Sequence, residues 1–169
     1  MSEQRIEFVF GEVTDQLRSE LKVFWKQHGQ AYQEELRSFW VGSSHSHALQ
    51  PADAPKKLIS RQPAAISRDQ SGAINGIVFV VLRELEVSLN LGTHTYFQRM
   101  YIIPESRNPR LANQLFRAFL QGFDRAVEQR DHRAKVLLTE NINPGLQKAS
   151  MRRYFSRLGF QMLGGNQLG

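Results

Sequence analysis

The chain has 169 residues, 41% of them hydrophobic and eleven of them Phe, enough for a sizeable core in one domain spanning 1–169. That composition excludes collagen-like, low-complexity and wholly disordered classes. There is no cysteine, which excludes disulfides, thiolate metal ligands and a covalent cysteine intermediate. The 22 basic and 16 acidic residues leave a net charge of +6.

The longest apolar run, Ile77 to Leu82, is far shorter than the roughly 18 residues of a membrane helix. The N-terminus, Met1-Ser2-Glu3-Gln4-Arg5, lacks the basic and apolar regions of a secretory signal. Together these predict a cytoplasmic chain with no membrane partner.

Residues 5–10 alternate and predict a strand. Thr14 is a suitable cap for a following helix with Leu17, Leu21, Phe24, Trp25 and His28 on its apolar side, ending at Gly29. A second helix is expected from about Ala31 to Val41, with Tyr32, Leu36, Phe39 and Trp40 apolar. Residues 42–62, rich in Ser, Pro and Lys, predict a long flexible loop. His45 and His47 lie in it without a third ligand, so no metal site is expected.

Strands are expected over 63–68, from Ala73 to about Ser88 and over 93–103, with turns at 69–72 and 90–92, making a three-stranded antiparallel meander. Asn108 followed by Pro109 is a cap-plus-proline start for a helix with Leu111, Leu115, Ala118, Phe119, Phe123 and Val127 along one stripe. A strand follows over 134–139. Asn143-Pro144 opens a last helix, with Leu146, Ala149, Tyr154, Phe155 and Leu158 apolar, and Gly159-Phe160 closes it. A short strand over 161–163 and a loose tail over 164–169 complete the order β α α β β β α β α β. A strand–helix–strand unit after an antiparallel meander implies an α+β fold, a mixed sheet flanked by helices.

Residues 99–157 hold twelve basic and five acidic residues, so this stretch carries the whole basic surplus. Sixteen of the 22 cations are Arg, whose planar fork suits phosphate oxygens. The turn Pro104-Glu105-Ser106-Arg107-Asn108-Pro109-Arg110-Leu111-Ala112 runs from strand to helix. Helix N-termini expose unpaired N–H groups, so this turn is either a phosphate cradle or an ordinary capped junction.

Tyr101-Ile102-Ile103-Pro104, the Arg107-x-x-Arg110-x-Ala112 spacing and the ending Tyr154-Phe155-Ser156-Arg157-Leu158-Gly159-Phe160 resemble the GNAT superfamily of acetyl-CoA-dependent N-acyltransferases. The resemblance covers nearly the whole chain. It implies a GNAT-like sheet and direct transfer of an acetyl or other acyl group from acyl-CoA to a primary amine, on a small molecule or a peptide. Arg107, Asn108, Arg110, Leu111 and Ala112 would hold the pyrophosphate. Met100, Tyr101 and Ile102 would pair with the pantetheine arm, and the strands 93–103 and 134–139 would splay apart around the thioester. Asn141, Asn143 and Phe155 would face the cofactor from the other side.

Two positions depart from the family pattern. Arg110 stands where the loop has its central Gly. Phe155 stands where a Tyr often protonates the leaving thiolate, with Tyr154 adjacent but about 100° around the helix. For the base, Glu140 and His94 are the leading candidates, and Glu84 and Glu86 lesser ones. The alternatives are a family member that binds ligand without turnover and, less favoured, an Arg-rich nucleic-acid-binding module. A chain ending soon after Phe160 is also compatible with a homodimer completing the sheet edge.

Overall fold

The computed structural model describes residues 4–39, 61–85, 87–140 and 143–163. The expected loop over 42–62 therefore lies almost wholly outside the described residues, as does the tail over 164–169. Five strands form one sheet in the order β1 (Arg5–Phe8), β2 (Gln62–Arg68), β3 (Ile74–Glu84), β4 (His94–Ile102), β5 (Ala134–Thr139). The first four run antiparallel to their neighbours, and β5 runs parallel to β4. The meander thus has four strands rather than three, because β1 pairs with β2 across the intervening helix.

Helix α1 (Asp15–Phe39) is continuous, where two helices separated at Gly29 were expected. Thr14 caps it, its Oγ1 accepting from the Leu17 amide at 3.1 Å. The apolar stripe explains the continuity. Leu17, Leu21, Trp25, His28, Tyr32 and Leu36 follow in steps of three or four without a change of phase at Gly29. Trp25 and Tyr32, on either side of the glycine, both pack edge-on against Phe79, with centroids 5.6 and 5.9 Å away. An interior Gly costs about 1 kcal/mol relative to Ala, which such packing outweighs.

Helix α2 (Pro109–Arg125) lies on the opposite face of the sheet. The alternation of β3 and β4 sorts the two cores. Val78, Val80, Tyr96 and Ile102 meet Leu111, Leu115, Phe119 and Phe123 of α2. Ile77, Phe79 and Tyr101 meet Leu21, Phe24, Trp25 and Tyr32 of α1. With both faces covered, the central strands are apolar without interruption from Ile77 to Val80. Val127 does not join the stripe. The helix ends at Arg125 and Val127 is 62% exposed.

Three further expectations are corrected. Strand β3 stops at Glu84 rather than near Ser88, and a 3-10 turn over Val87–Leu89 returns the chain through Asn90 (φ 51°) and Gly92 (φ 101°). Asn143 does cap, but what it caps is a 3-10 turn, Pro144–Gln147. Extended Lys148 separates this turn from α3 (Ala149–Arg157). Ala149 is exposed, whereas Leu146, Tyr154, Phe155 and Leu158 are half-buried. Finally, residues 161–163 form no strand. Helix α3 ends in a left-handed Gly159 (φ 88°), with the Phe160 amide bonded back to the Phe155 carbonyl at 3.1 Å. Phe160 folds onto Phe116 and Phe155, and Met162 and Leu163 beyond it stay exposed.

A buried polar chain fixes the turn between β4 and α2. Ser67 Oγ donates to Asn75 Oδ1 at 2.7 Å, Asn75 Nδ2 donates to Ser106 Oγ at 3.3 Å, and the Ile103 amide donates to the Asn75 carbonyl at 3.0 Å. Buried amides and hydroxyls demand such partners, so the turn is held to the sheet at a defined place.

Candidate active site

The β4–β5 ladder runs from His94 and Ala134 to Gln98 and Thr139, then stops. Strand β4 continues for four more residues, paired only with β3 on its other side. Among the described residues, the β5-facing edge from Arg99 to Ile102 has no strand beside it. A sheet interrupted in this way leaves backbone groups that a ligand can pair with. A cleft of about 350 Å³ opens at this place, within the roughly 300–1,000 Å³ usual for small-molecule sites.

Four parts of the chain wall it. Tyr32, Glu35 and Leu36 come from α1, and residues 98–102 from β4. Arg107, Asn108, Ala112, Asn113 and Phe116 come from the turn and α2. Thr139 and Glu140 come from the end of β5, Asn143 and Leu146 from the 3-10 turn after it, and Met151, Tyr154 and Phe155 from α3.

Two ion pairs span the cleft wall. Arg99 Nη1 donates to the Glu140 carbonyl at 3.0 Å, and its Nη2 donates to Glu140 Oε2 at 2.8 Å, so one guanidinium ties β4 to the residue that follows β5. Arg107 pairs with Glu35 of α1, while its Nε donates to the Ile102 carbonyl at 2.8 Å and its Cζ lies 5.5 Å from the Tyr101 ring centroid. Both guanidiniums are thereby oriented before any ligand arrives.

Three of the wall residues are tyrosines kept in their neutral form by burial. Tyr32 is pushed up to about 12, burial outweighing the nearby charges of Arg99 and Arg61. Tyr101 and Tyr154 are raised as well, again chiefly by burial. The Tyr154 hydroxyl donates to Asn113 Oδ1 at 2.8 Å, a bond from α3 to α2 across the back of the cleft. Helical spacing set Tyr154 about 100° from Phe155, pointing elsewhere. In the structure both line the cleft, together with Met151 about one turn earlier on α3.

Of the residues expected at the site, Met100, Tyr101, Ile102, Arg107, Asn108, Ala112, Glu140, Asn143, Tyr154 and Phe155 come together at the cleft. Asn141 and Glu86 lie outside the described residues. His94 does not reach it. It sits at the other end of β4, about 26 Å from Ile102 by strand rise, opposite Glu84 of β3. Arg110 is exposed and is not part of the cleft wall, since it sits on the solvent side of the first turn of α2. Leu111 is fully buried in the α2 core, and its amide is taken by Asn108 Oδ1 at 2.8 Å.

The sequence reading missed Glu35, Arg99, Asn113 and Met151. Arg99 had a signal, since it alternates with Tyr101 on the strand facing the site. Asn113 had a weaker one, three residues ahead of the apolar Phe116 on the same helix face. Glu35 had none, since its partner Arg107 lies 72 residues away.

No protein-family model matches the chain, and no curated protein matches it. Solved structures do. A GCN5-related N-acetyltransferase from Ralstonia eutropha JMP134 is 12% identical, with 96% of this chain and 94% of that one covered at a TM-score of 0.53. The aminoglycoside N-acetyltransferase AAC(6')-Iy in complex with CoA is 15% identical, with 98% and 93% covered at 0.50. AAC(6')-Iy with a CoA bisubstrate analogue aligns at 14% identity and 0.51, over 98% and 95%. At these identities the likeness establishes the fold, which is that of the GCN5-related N-acetyltransferases.

Proposed function

We propose that the chain is an N-acyltransferase that uses acetyl-CoA or a related acyl-CoA and a primary amine. The observation that carries this reading is the β4–β5 ladder stopping at Gln98 and Thr139, with a cleft at the gap. The open edge of β4 offers backbone groups to an extended amide-bearing arm, and Ala112 leaves space where α2 begins. Bound acyl-CoA supplies an activated acyl group. The chain supplies the rest. Glu140, at the mouth of the gap, draws a cationic amine inward and accepts its proton. The Tyr154 hydroxyl stays protonated near neutral pH, because burial raises it, and is the proton donor on the α3 wall. The lack of cysteine accords with attack by the amine itself.

The turn fits the pyrophosphate less well than the family resemblance implies. Pro109 has no N–H, the Leu111 amide is spent on its cap and Arg107 is engaged with Glu35. With Phe155 in place of the family's tyrosine, this favours one second reading, a cleft that binds acyl-CoA without turnover.

The test is thermal denaturation with CoA, acetyl-CoA and longer acyl-CoAs, for the native chain and for Ala112→Glu. Glu in the first turn suits a helix N-terminus but places a carboxylate against a phosphate. At 100 times its dissociation constant a ligand stabilises by about 2.7 kcal/mol, a rise of roughly 5–10 °C for a domain this size. We expect that rise in the native chain and its loss in the variant, with thiol release on adding an amine. No rise with any CoA derivative counts against both readings; a rise without thiol release selects the second.

A further inference from the structure

Helix α1 covers the sheet face of Ile77, Phe79 and Tyr101. By alternation the same face continues through Val81 and Arg83 on β3 and through Phe97 and Arg99 on β4. There Val81 and Phe97 are only half-buried and Arg83 is exposed. Three guanidiniums gather on this stretch. The Cζ atoms of Arg83 and Arg99 each lie 5.1 Å from the Phe97 ring centroid, and that of Arg61 lies 5.7 Å from Phe79. Arg99 stands opposite Phe79 in the register and Val81 opposite Phe97, so the three charges converge on one patch.

Arg99 has Glu140 as its counter-ion, but among the described residues no carboxylate is ion-paired with Arg61 or Arg83. Around Arg61 lie Tyr32, which is neutral at ordinary pH, Arg83 and Arg99, and it shares a second cavity with Arg130 and with Asp131, whose carboxylate is paired with Arg133. Arg61 is held below the usual guanidinium value by burial first, and Arg83 and Arg99 act in the same direction. Like charges brought together on a half-buried surface repel, and an anion placed among them relieves that repulsion. Aromatic rings beneath the guanidiniums fix their planes, leaving the N–H edges to donate in pairs to oxygen.

We infer that the acceptor amine carries an anionic group, a carboxylate or a phosphate, held over Phe97 by Arg83 and Arg61. Its amine then reaches the Arg99–Glu140 end of the cleft. Phe97 and Arg99 are two residues apart on β4, about 7 Å, so a small molecule with a few bonds between amine and anion spans the distance. This inference rests on the acyltransferase reading for its chemistry, but not for its anion site.

The experiment compares phosphoethanolamine with ethanolamine, and γ-aminobutyrate with its amide, at saturating acetyl-CoA. Thiol release is read colorimetrically, without background from a chain that has no cysteine. We expect kcat/KM at least about tenfold higher for the anionic member of a pair, the magnitude of a charge-assisted bidentate contact. That ratio falls toward one in Arg61→Gln/Arg83→Gln and is partly kept in Arg83→Lys. The larger of the two ratios tells phosphate from carboxylate. Equal rates within both pairs, or a preference surviving in the double variant, overturn the inference.

Melting temperatures with the same four compounds give a readout independent of turnover. Stabilisation by the anionic members alone, lost in the double variant, supports the site even if acyl-CoA fails to stabilise, an outcome that rejects only the acyltransferase reading. Stabilisation by acyl-CoA with no anion dependence rejects only this inference. Salt-sensitive RNA binding that depends on Arg61 and Arg83 would also reject it.

Discussion

At the scale of single residues, Tyr154 is the position where spacing and structure part company. A helical wheel rotates it away from Phe155, yet both stand in the cleft wall and the Tyr154 hydroxyl is fixed on Asn113. If it donates a proton, Tyr154→Phe lowers kcat by on the order of 10²-fold while KM for acyl-CoA stays within about twofold. Steady-state kinetics check this, and an equal rise in KM would mark Tyr154 as a packing residue only. Much of the site was legible residue by residue. The β4 segment, Arg107, Asn108, Ala112 and Asn143, which the family resemblance implied, and Glu140, named as a candidate base, all line the cleft. What could not be read were partnerships across the sequence. Arg107 and Glu35 are 72 residues apart, and Arg99 and Glu140 are 41 apart. Nothing local in either member announces the other. His94 failed for a related reason, since lying on the right strand says nothing about which end of it faces the site.

At the scale of elements, the strands and α2 were visible because their periods are clean and their caps are chemically marked. Asn108-Pro109 starts α2 as expected. The errors gathered where tertiary packing overrides a local stop signal, at Gly29, or where nothing local decides, as at residues 161–163. Gly122 shows how closely two elements meet. A Cβ built there would run into the ring of Phe8, so α2 sits on β1 with only a hydrogen between them. We expect Gly122→Ala to destabilise the protein by about 1–3 kcal/mol despite alanine's better helix propensity, because the Phe8 ring must move within a packed core. Urea denaturation measures it, and a stabilised variant would show that β1 shifts freely.

At the scale of the whole molecule, the cleft tyrosines link ligand site and stability. Tyr32 ionises near 10 in the unfolded chain and at about 12 in the folded one. The folded state therefore holds more protons between those values. Its stability is fully present below pH 10 and is lost as pH rises toward 12. For Tyr32 alone the two-unit shift amounts to about 2–3 kcal/mol. Tyr101 and Tyr154 are shifted the same way. We expect alkaline unfolding in that window, with tyrosinate absorbance rising together with loss of near-ultraviolet dichroism. Tyr32→Phe should move the midpoint upward, and an unchanged midpoint would remove Tyr32 as the cause.

The Arg99 bridge has a consequence at this same scale. Two parallel strands that have begun to pair tend to go on pairing, since each further rung satisfies two backbone groups. Here the zipper ends with β5 at Thr139, and just past its last tooth a guanidinium is fastened to the next residue of the far side by two hydrogen bonds. A guest therefore meets a doorway whose two sides are already tied together by one side chain.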